Sequence, residues 1–204
     1  MVIPSTLPVM ALPGYAMLPH SLLPLNIFES RYREMLCLAL QSERMFCIVM
    51  RKGEEPPAGI LDEVYPEGTA GLVRACVEQQ DGTSKLILQG LQRVRFTGWQ
   101  QTLPFRIARI KVLTDTGATS PEVGELTARI TSLTNELSDR GITDMNQPLK
   151  SQLEGTDDPA AYADMVAHNL INDPLERQKL VAMSDVVERL LFLTRHLELM
   201  INTN

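Results

Sequence analysis

The chain has 204 residues, 44% hydrophobic and 22% charged, with a formal net charge of -6. That length suits one large domain or two small ones around a real core, and the composition is that of a soluble globular protein. The acidic balance argues against broad binding to a phosphate backbone. Cys37, Cys47 and Cys76 are odd in number, sit in apolar stretches and show no CxxC or Cys/His spacing. They read as reduced, buried thiols of a cytoplasmic protein rather than a metal or redox site. No basic region precedes a long apolar segment, and Pro4, Pro8 and Pro13 interrupt the start, so neither a signal peptide nor a membrane helix is expected.

Residues 3–12 predict a first strand, placed at or near a sheet edge by its prolines. Pro13-Gly14 marks a turn, and residues 17–28 form a second extended segment. Tyr32, Met35, Leu36, Ala39 and Leu40 recur at helical spacing, which predicts a helix over 31–41. Glu29 or Ser30 would cap it. The continuous apolar run Met45 to Met50 reads as a buried strand, and residues 51–59 as a solvated loop. Strands over 68–79 and 85–89 flank Asp81-Gly82, a hairpin signal, and Gly90 suggests a bend or bulge. Val94 and Phe96 alternate with Arg93, Arg95 and Thr97, and residues 105–113 close a β-rich half. After a polar linker over 114–121 the period becomes helical, through Val123, Leu126, Ile130, Leu133 and Leu137, with Ser120-Pro121 at the start. Residues 138–157 are polar and irregular. Asp158-Pro159, Asp173-Pro174 and the capping-box pair Asp185/Glu188 open three more helices.

The stretch Leu22 to Leu36 organises this pattern: a buried strand end, with Leu25, Ile27 and Phe28, feeds a helix through a tight junction at Glu29-Ser30. Pro24, Leu25, Ile27, Phe28, Glu29, Arg31 and Tyr32 resemble the hallmark P-L-x-I-F-E-x-R-Y of the N-terminal domain of Lon-type ATP-dependent proteases, with Asn26 and Ser30 where the family often has His and Pro. Gly68 to Gly71 and Leu88 to Arg95 are similar to a second signature of that family, and Asp164, Gln178-Lys179-Leu180 and Glu188-Arg189-Leu190 look familial too. The resemblance spans nearly the whole chain and is strongest over 18–112. It implies a PUA-like β pseudo-barrel with one early helix, followed by a C-terminal α-helical bundle, an α+β fold. The expected domains are 1–115, the pseudo-barrel, and 116–204, the helical domain.

No G-x-x-x-x-G-K-[ST] phosphate loop is present and no segment matches the family's protease domain, so the chain resembles the recognition domain alone. His20, His168 and His196 lack metal-ligand spacing and read as structural. Ser84-Lys85 would point to opposite faces of a strand, which disfavours a dyad. Glu54-Glu55 and Asp62-Glu63 read as solvated loop charges. Phe28 and Tyr32 are assigned to the core. Glu29 and Arg31 read as capping and ion-pairing groups, with a contact role left open. Arg93, Arg95, Arg106, Arg109 and Lys111, with Trp99, Phe96 and Phe105 nearby, keep a PUA-like RNA-binding module as the alternative, although aromatic platforms are sparse. The expectation is a non-enzymatic, cytoplasmic protein-interaction module that recognises polypeptide substrates or partners in proteolysis or quality control. It has no catalytic, cofactor or metal residues, no membrane contact and a nucleic acid disfavoured as partner.

Overall fold

The structure is a computed structural model that describes residues 2–53, 63–143, 153 and 155–203. Two compact units emerge: Met1–Thr114 with Asp173–Ala182, and Asp115–Asn172 with Met183–Asn204. The loop over 51–59 and the irregular stretch 138–157 fall partly outside the described residues, as do Glu54, Glu55 and Asp62.

The first unit holds six strands, β1 (Thr6–Pro13), β2 (Leu22–Ile27), β3 (Met45–Arg51), β4 (Glu67–Glu78), β5 (Ser84–Gln101) and β6 (Arg106–Val112), with helix α1 (Ser30–Leu40) after β2. The order is β2-β5-β4-β3-β1-β6, and β5 also pairs β6, which closes a pseudo-barrel. The 18 residues of β5 make closure possible: residues 84–89 pair β2, and residues 94–101 pair β6. Among the described pairs of these six strands, only β1 and β3 run parallel.

β1 is interior to the sheet rather than at the edge its prolines suggested. It switches partner at Val9, pairing β6 over Thr6–Val9 and β3 over Val9–Pro13. Pro8 lies before the β3 pairing begins, so its missing N–H removes no bond from that ladder. β3 is apolar from Met45 to Met50 because that run is buried on both faces. Phe46 and Ile48 join Met10, Tyr32, Met35, Leu86 and Leu88 in one core. Cys47 and Val49 join Leu7, Val9, Ala70, Val94 and Ala108 in the other.

The β4–β5 hairpin turns at Asp81-Gly82, where Gly82 takes φ 76° and the Asp81 carboxylate accepts from the Thr83 N–H (2.9 Å) and hydroxyl (2.7 Å). Those bonds hold the Asp81 carboxyl below its usual range. A register shift beside Gly90, with Gly71 opposite Gly90 and Ala70 opposite Gln92, is the bulge the sequence indicated. A Cβ on Gly90 would sit 2.4 Å from the Leu18 carbonyl oxygen, so only glycine admits this crossing.

The second unit contains α2 (Glu122–Asp139), α3 (Pro159–Leu170) and α5 (Val186–Thr203). Ile130, Leu133 and Leu137 on α2 and Leu190, Leu193 and Leu197 on α5 are buried. Asp158 caps α3 by accepting from Ala160 N–H, and Asp185 Oδ1 accepts from the N–H groups of Val187 and Glu188. The buried Arg189 guanidinium donates to Asp164 at 3.1 Å and also pairs Asp115.

Helix α4 (Pro174–Ala182) lies among the helices in sequence but belongs to the first unit. Its Gln178 amide donates to the Glu67 carbonyl at 3.1 Å, and its Leu180 carbonyl accepts from the buried Arg93 at 3.2 Å. Gln178, Leu180, Asp164 and Arg189, which the family resemblance singles out, are thus internal connections.

Candidate functional site

Exposed apolar side chains gather on the outer face of β2, β5 and β4. Strand alternation sends Leu23, Leu25 and Ile27 toward the core and turns Leu22, Pro24 and Asn26 out. Opposite them, Leu86 and Leu88 are buried while Lys85 and Ile87 face outward. The register aligns Pro24, Ile87 and Ala75 in one cross-strand row, and Asn26, Lys85 and Val77 in the next. A one-residue bulge at Arg74 brings Ala75 and Val77 onto this face. Leu22 is 56% exposed and Val77 61%. Phe28 follows β2 in the same alternation.

Phe28 corrects the sequence expectation: it is 63% exposed, not core. Ile27 is the last inward residue of β2 and Tyr32 the first inward residue of α1, so the junction between them carries Phe28 outward. The cap differs as well. Glu29 is the N-cap through its backbone, its carbonyl accepting from the N–H groups of Tyr32 and Arg33, and its side chain makes no capping bond. That carboxylate pairs instead with Arg31 at 2.8 Å, both side chains near half exposure, and the Arg31 guanidinium lies 4.6 Å from the Tyr32 ring. The pair holds the junction at the surface, beside Phe28.

Other residues scatter. Ser84 is buried and Lys85 exposed, so the two point apart. His20 is exposed with φ 62°, its N–H donating to the Gly90 carbonyl; His196 stacks on Phe192 in the second unit, which also carries His168. Among the described residues no group of three His, Cys, Asp or Glu is placed to hold a metal ion. Cys47 is buried, and burial pushes its thiol far up, but Cys37 is exposed, against expectation. Tyr32, Met35, Leu36 and Ala39 set the inward stripe of α1, and position 37 falls outside it.

The five basic residues do not form one face. Arg93 and Arg106 are buried, Arg95 pairs Glu67 at 3.0 Å, and Arg109 and Lys111 alone among the five stand exposed without a described partner charge. A cleft of about 480 Å³ is lined by Tyr65, Pro66, Phe96, Trp99 and Arg106. Its aromatic rings already meet protein groups: Phe96 stacks on Trp99 at 5.5 Å, Arg106 lies 5.2 Å from the Trp99 ring, and Lys52 lies 5.3 Å from the Tyr65 ring. Phe105 is buried.

Residues 6–198 match the model of the ATP-dependent protease La (LON) substrate-binding domain. The chain belongs to this family. The Lon protease of Dictyoglomus thermophilum is 26% identical over 204 residues, covering 97% of this chain and 25% of that protein. The Lon protease of Escherichia coli K12 is 26% identical over 198 residues, covering 94% of this chain and 24% of that protein. The chain thus spans about a quarter of the length of these Lon proteases. The N-terminal domain of Mycobacterium avium complex Lon protease shares the fold at TM-score 0.73 with 19% identity, over 95% of this chain and 98% of that one. A Lon N-terminal domain protein from Xanthomonas campestris does so at TM-score 0.66 with 20% identity, over 93% and 97%. The Lon hallmark therefore divides in two here. Ile27 and Tyr32 anchor the junction from inside, while Pro24, Phe28, Glu29 and Arg31 remain at the surface. Strict alternation from Leu22 to Phe28 was the signal that could have placed Phe28 outside.

Proposed function

We propose that this chain is a non-enzymatic recognition module that holds apolar segments of unfolded or extended polypeptide, in cytoplasmic proteolysis or quality control. The observation that carries the reading is the outward apolar row of Pro24, Ile87 and Ala75, with exposed Leu22 and Val77 in the rows on either side, on a chain of the Lon substrate-binding family. Apolar side chains gathered on a solvent-facing sheet surface mark interaction sites. The opposed directions of Ser84 and Lys85 support the non-enzymatic part, and the burial of Arg93 and Arg106 withdraws support from the RNA-binding alternative.

For a single contact site the dissociation constant expected is no tighter than about micromolar, on the order of -8 kcal/mol. Titration of the chain into a labelled, permanently unfolded protein tests this. The substitutions Leu22→Glu and Val77→Glu should together abolish binding and leave the melting temperature in place. Absence of binding at roughly 100 µM, which corresponds to about -5.5 kcal/mol, would end the reading.

A further inference from the structure

We infer that the polypeptide is bound by strand addition to the free edge of β2. The inference rests on the polypeptide-binding reading above and adds its mode. β2 pairs β5 alone, so among the described residues its other edge has no strand beside it. The ladder geometry fixes which backbone groups point there. Gly90 N–H donates to the Ser21 carbonyl at 2.9 Å, one step before the pair Leu22 and Gln89. Opposed residues in an antiparallel ladder alternate between bonded and non-bonded pairs. Leu23, Leu25 and Ile27 therefore bond to β5, and Leu22, Pro24 and Asn26 turn their backbone groups to the open edge. Pro24 fits this parity, because its missing N–H then removes nothing from the β2–β5 ladder.

The open edge offers the N–H and C=O of Leu22 and Asn26 and the C=O of Pro24. Alternating donors and acceptors at strand spacing match the backbone of another extended chain, and that commits the occupant to polypeptide. The exposed side chains of the same residues stand beside Ile87, Ala75 and Val77, so an added strand would extend the apolar row with its own alternate side chains. The six residues of β2 span roughly 20 Å, which matches about six residues of an incoming chain. Pro24 withholds one donor from that chain, which limits affinity and discourages uncontrolled pairing at the edge. Main-chain bonding is also tolerant of sequence, as a receptor for many unfolded chains requires.

The test uses the full chain and a labelled eight-residue peptide of alternating Val and Ser, with two variants N-methylated on either the Val or the Ser positions. Strand addition predicts that one methylated set loses at least about tenfold in affinity while the other stays within about twofold, because one side of the peptide alone faces β2. Equal binding of all three peptides overturns strand addition and leaves the polypeptide-binding reading standing. No binding of the unmethylated peptide, with none to an unfolded protein, overturns both. Pro24→Val restores an edge donor and should tighten binding about three- to tenfold, with folding checked by circular dichroism. Unchanged or weaker binding by the folded variant counts against the mode. Sedimentation of the chain alone completes the test: a dimer whose formation blocks peptide binding, and which Pro24→Val strengthens, would assign the β2 edge to a second copy and overturn the proposal.

Discussion

The Arg93 guanidinium donates to the Leu180 carbonyl at 3.2 Å across 87 positions of the chain, and neither group is exposed. A cation at the carbonyl end of a helix is also the favourable sense for the helix dipole. This bond, with the bond from Gln178 to the Glu67 carbonyl, holds α4 to the strands of the first unit. Arg93→Met should destabilise that unit by about 1.5–3 kcal/mol, the range for hydrogen bonds to charged groups. A chain cut after Thr114 lacks α4 and should bind a hydrophobic dye and lose its near-ultraviolet dichroism. A native-like, cooperatively melting 1–114 fragment would show α4 to be dispensable.

Phe28 and Tyr32 should separate surface from scaffold. Tyr32→Ala empties a buried position beside Met35 and Phe46 and should cost about 3 kcal/mol or more in denaturant unfolding. Phe28→Ser, at a position 63% exposed, should stay within about 0.5 kcal/mol of the parent while weakening polypeptide binding. Equal destabilisation by the two changes would return Phe28 to the core.

Much of the fold was legible in the sequence for a physical reason. Hydrophobic period separates helix from strand, and caps such as Asp158-Pro159 and Asp185/Glu188 mark helix starts by satisfying first-turn N–H groups. What stayed hidden depends on long-range pairing. The interior place of β1 turns on its change of partner at Val9, and Pro8 alone argues for an edge. The assignment of α4 to the β-rich unit turns on Arg93 and Gln178, whose partners lie 87 and 111 residues away. The outer apolar row needs the register of three strands and the Arg74 bulge, none of which local pattern supplies.

Gly90→Ala tests the crossing of β5 over the segment before β2. The added methyl would lie 2.4 Å from the Leu18 carbonyl oxygen, a backbone atom that cannot swing aside. It would also part the bonds between Gly90 and both His20 and Ser21. A loss of about 1–3 kcal/mol is expected from overpacking of this kind, read as a lower denaturant midpoint at unchanged slope. A midpoint equal to the parent's would mean that the segment relaxes freely.

The thiols should react in order of exposure. Cys37 is exposed on α1, and Cys47 is fully buried with its thiol held protonated by desolvation. The thiolate is the reacting form, so a disulfide reagent at neutral pH should modify Cys37 quickly and leave Cys47 untouched until the chain unfolds. Mass spectrometry of the native protein after brief treatment reads this directly, and early label on Cys47 would contradict the burial of β3.

Asp164 and Asp115 share the guanidinium of Arg189, whose side chain is fully buried. Asp115 belongs to the segment entering the second unit, Asp164 to α3 and Arg189 to α5, so the triad ties three parts of that unit together. A buried ion pair is weak evidence of net stabilisation, because desolvation offsets much of the attraction, but removing Asp164 strips the buried guanidinium of its buried carboxylate and leaves Asp115 as its remaining counter-charge. Asp164→Ala should therefore cost about 3–5 kcal/mol. Asp164→Asn keeps the size and an acceptor oxygen and should cost less. Pairing Asp164→Leu with Arg189→Met should recover most of the loss, because the buried guanidinium leaves with its buried partner and the Asp115 carboxylate, 28% exposed, can turn to water. The comparison is made by denaturant unfolding of the three variants. If the double variant is as unstable as Asp164→Ala, the cost lies in lost packing rather than in the buried guanidinium.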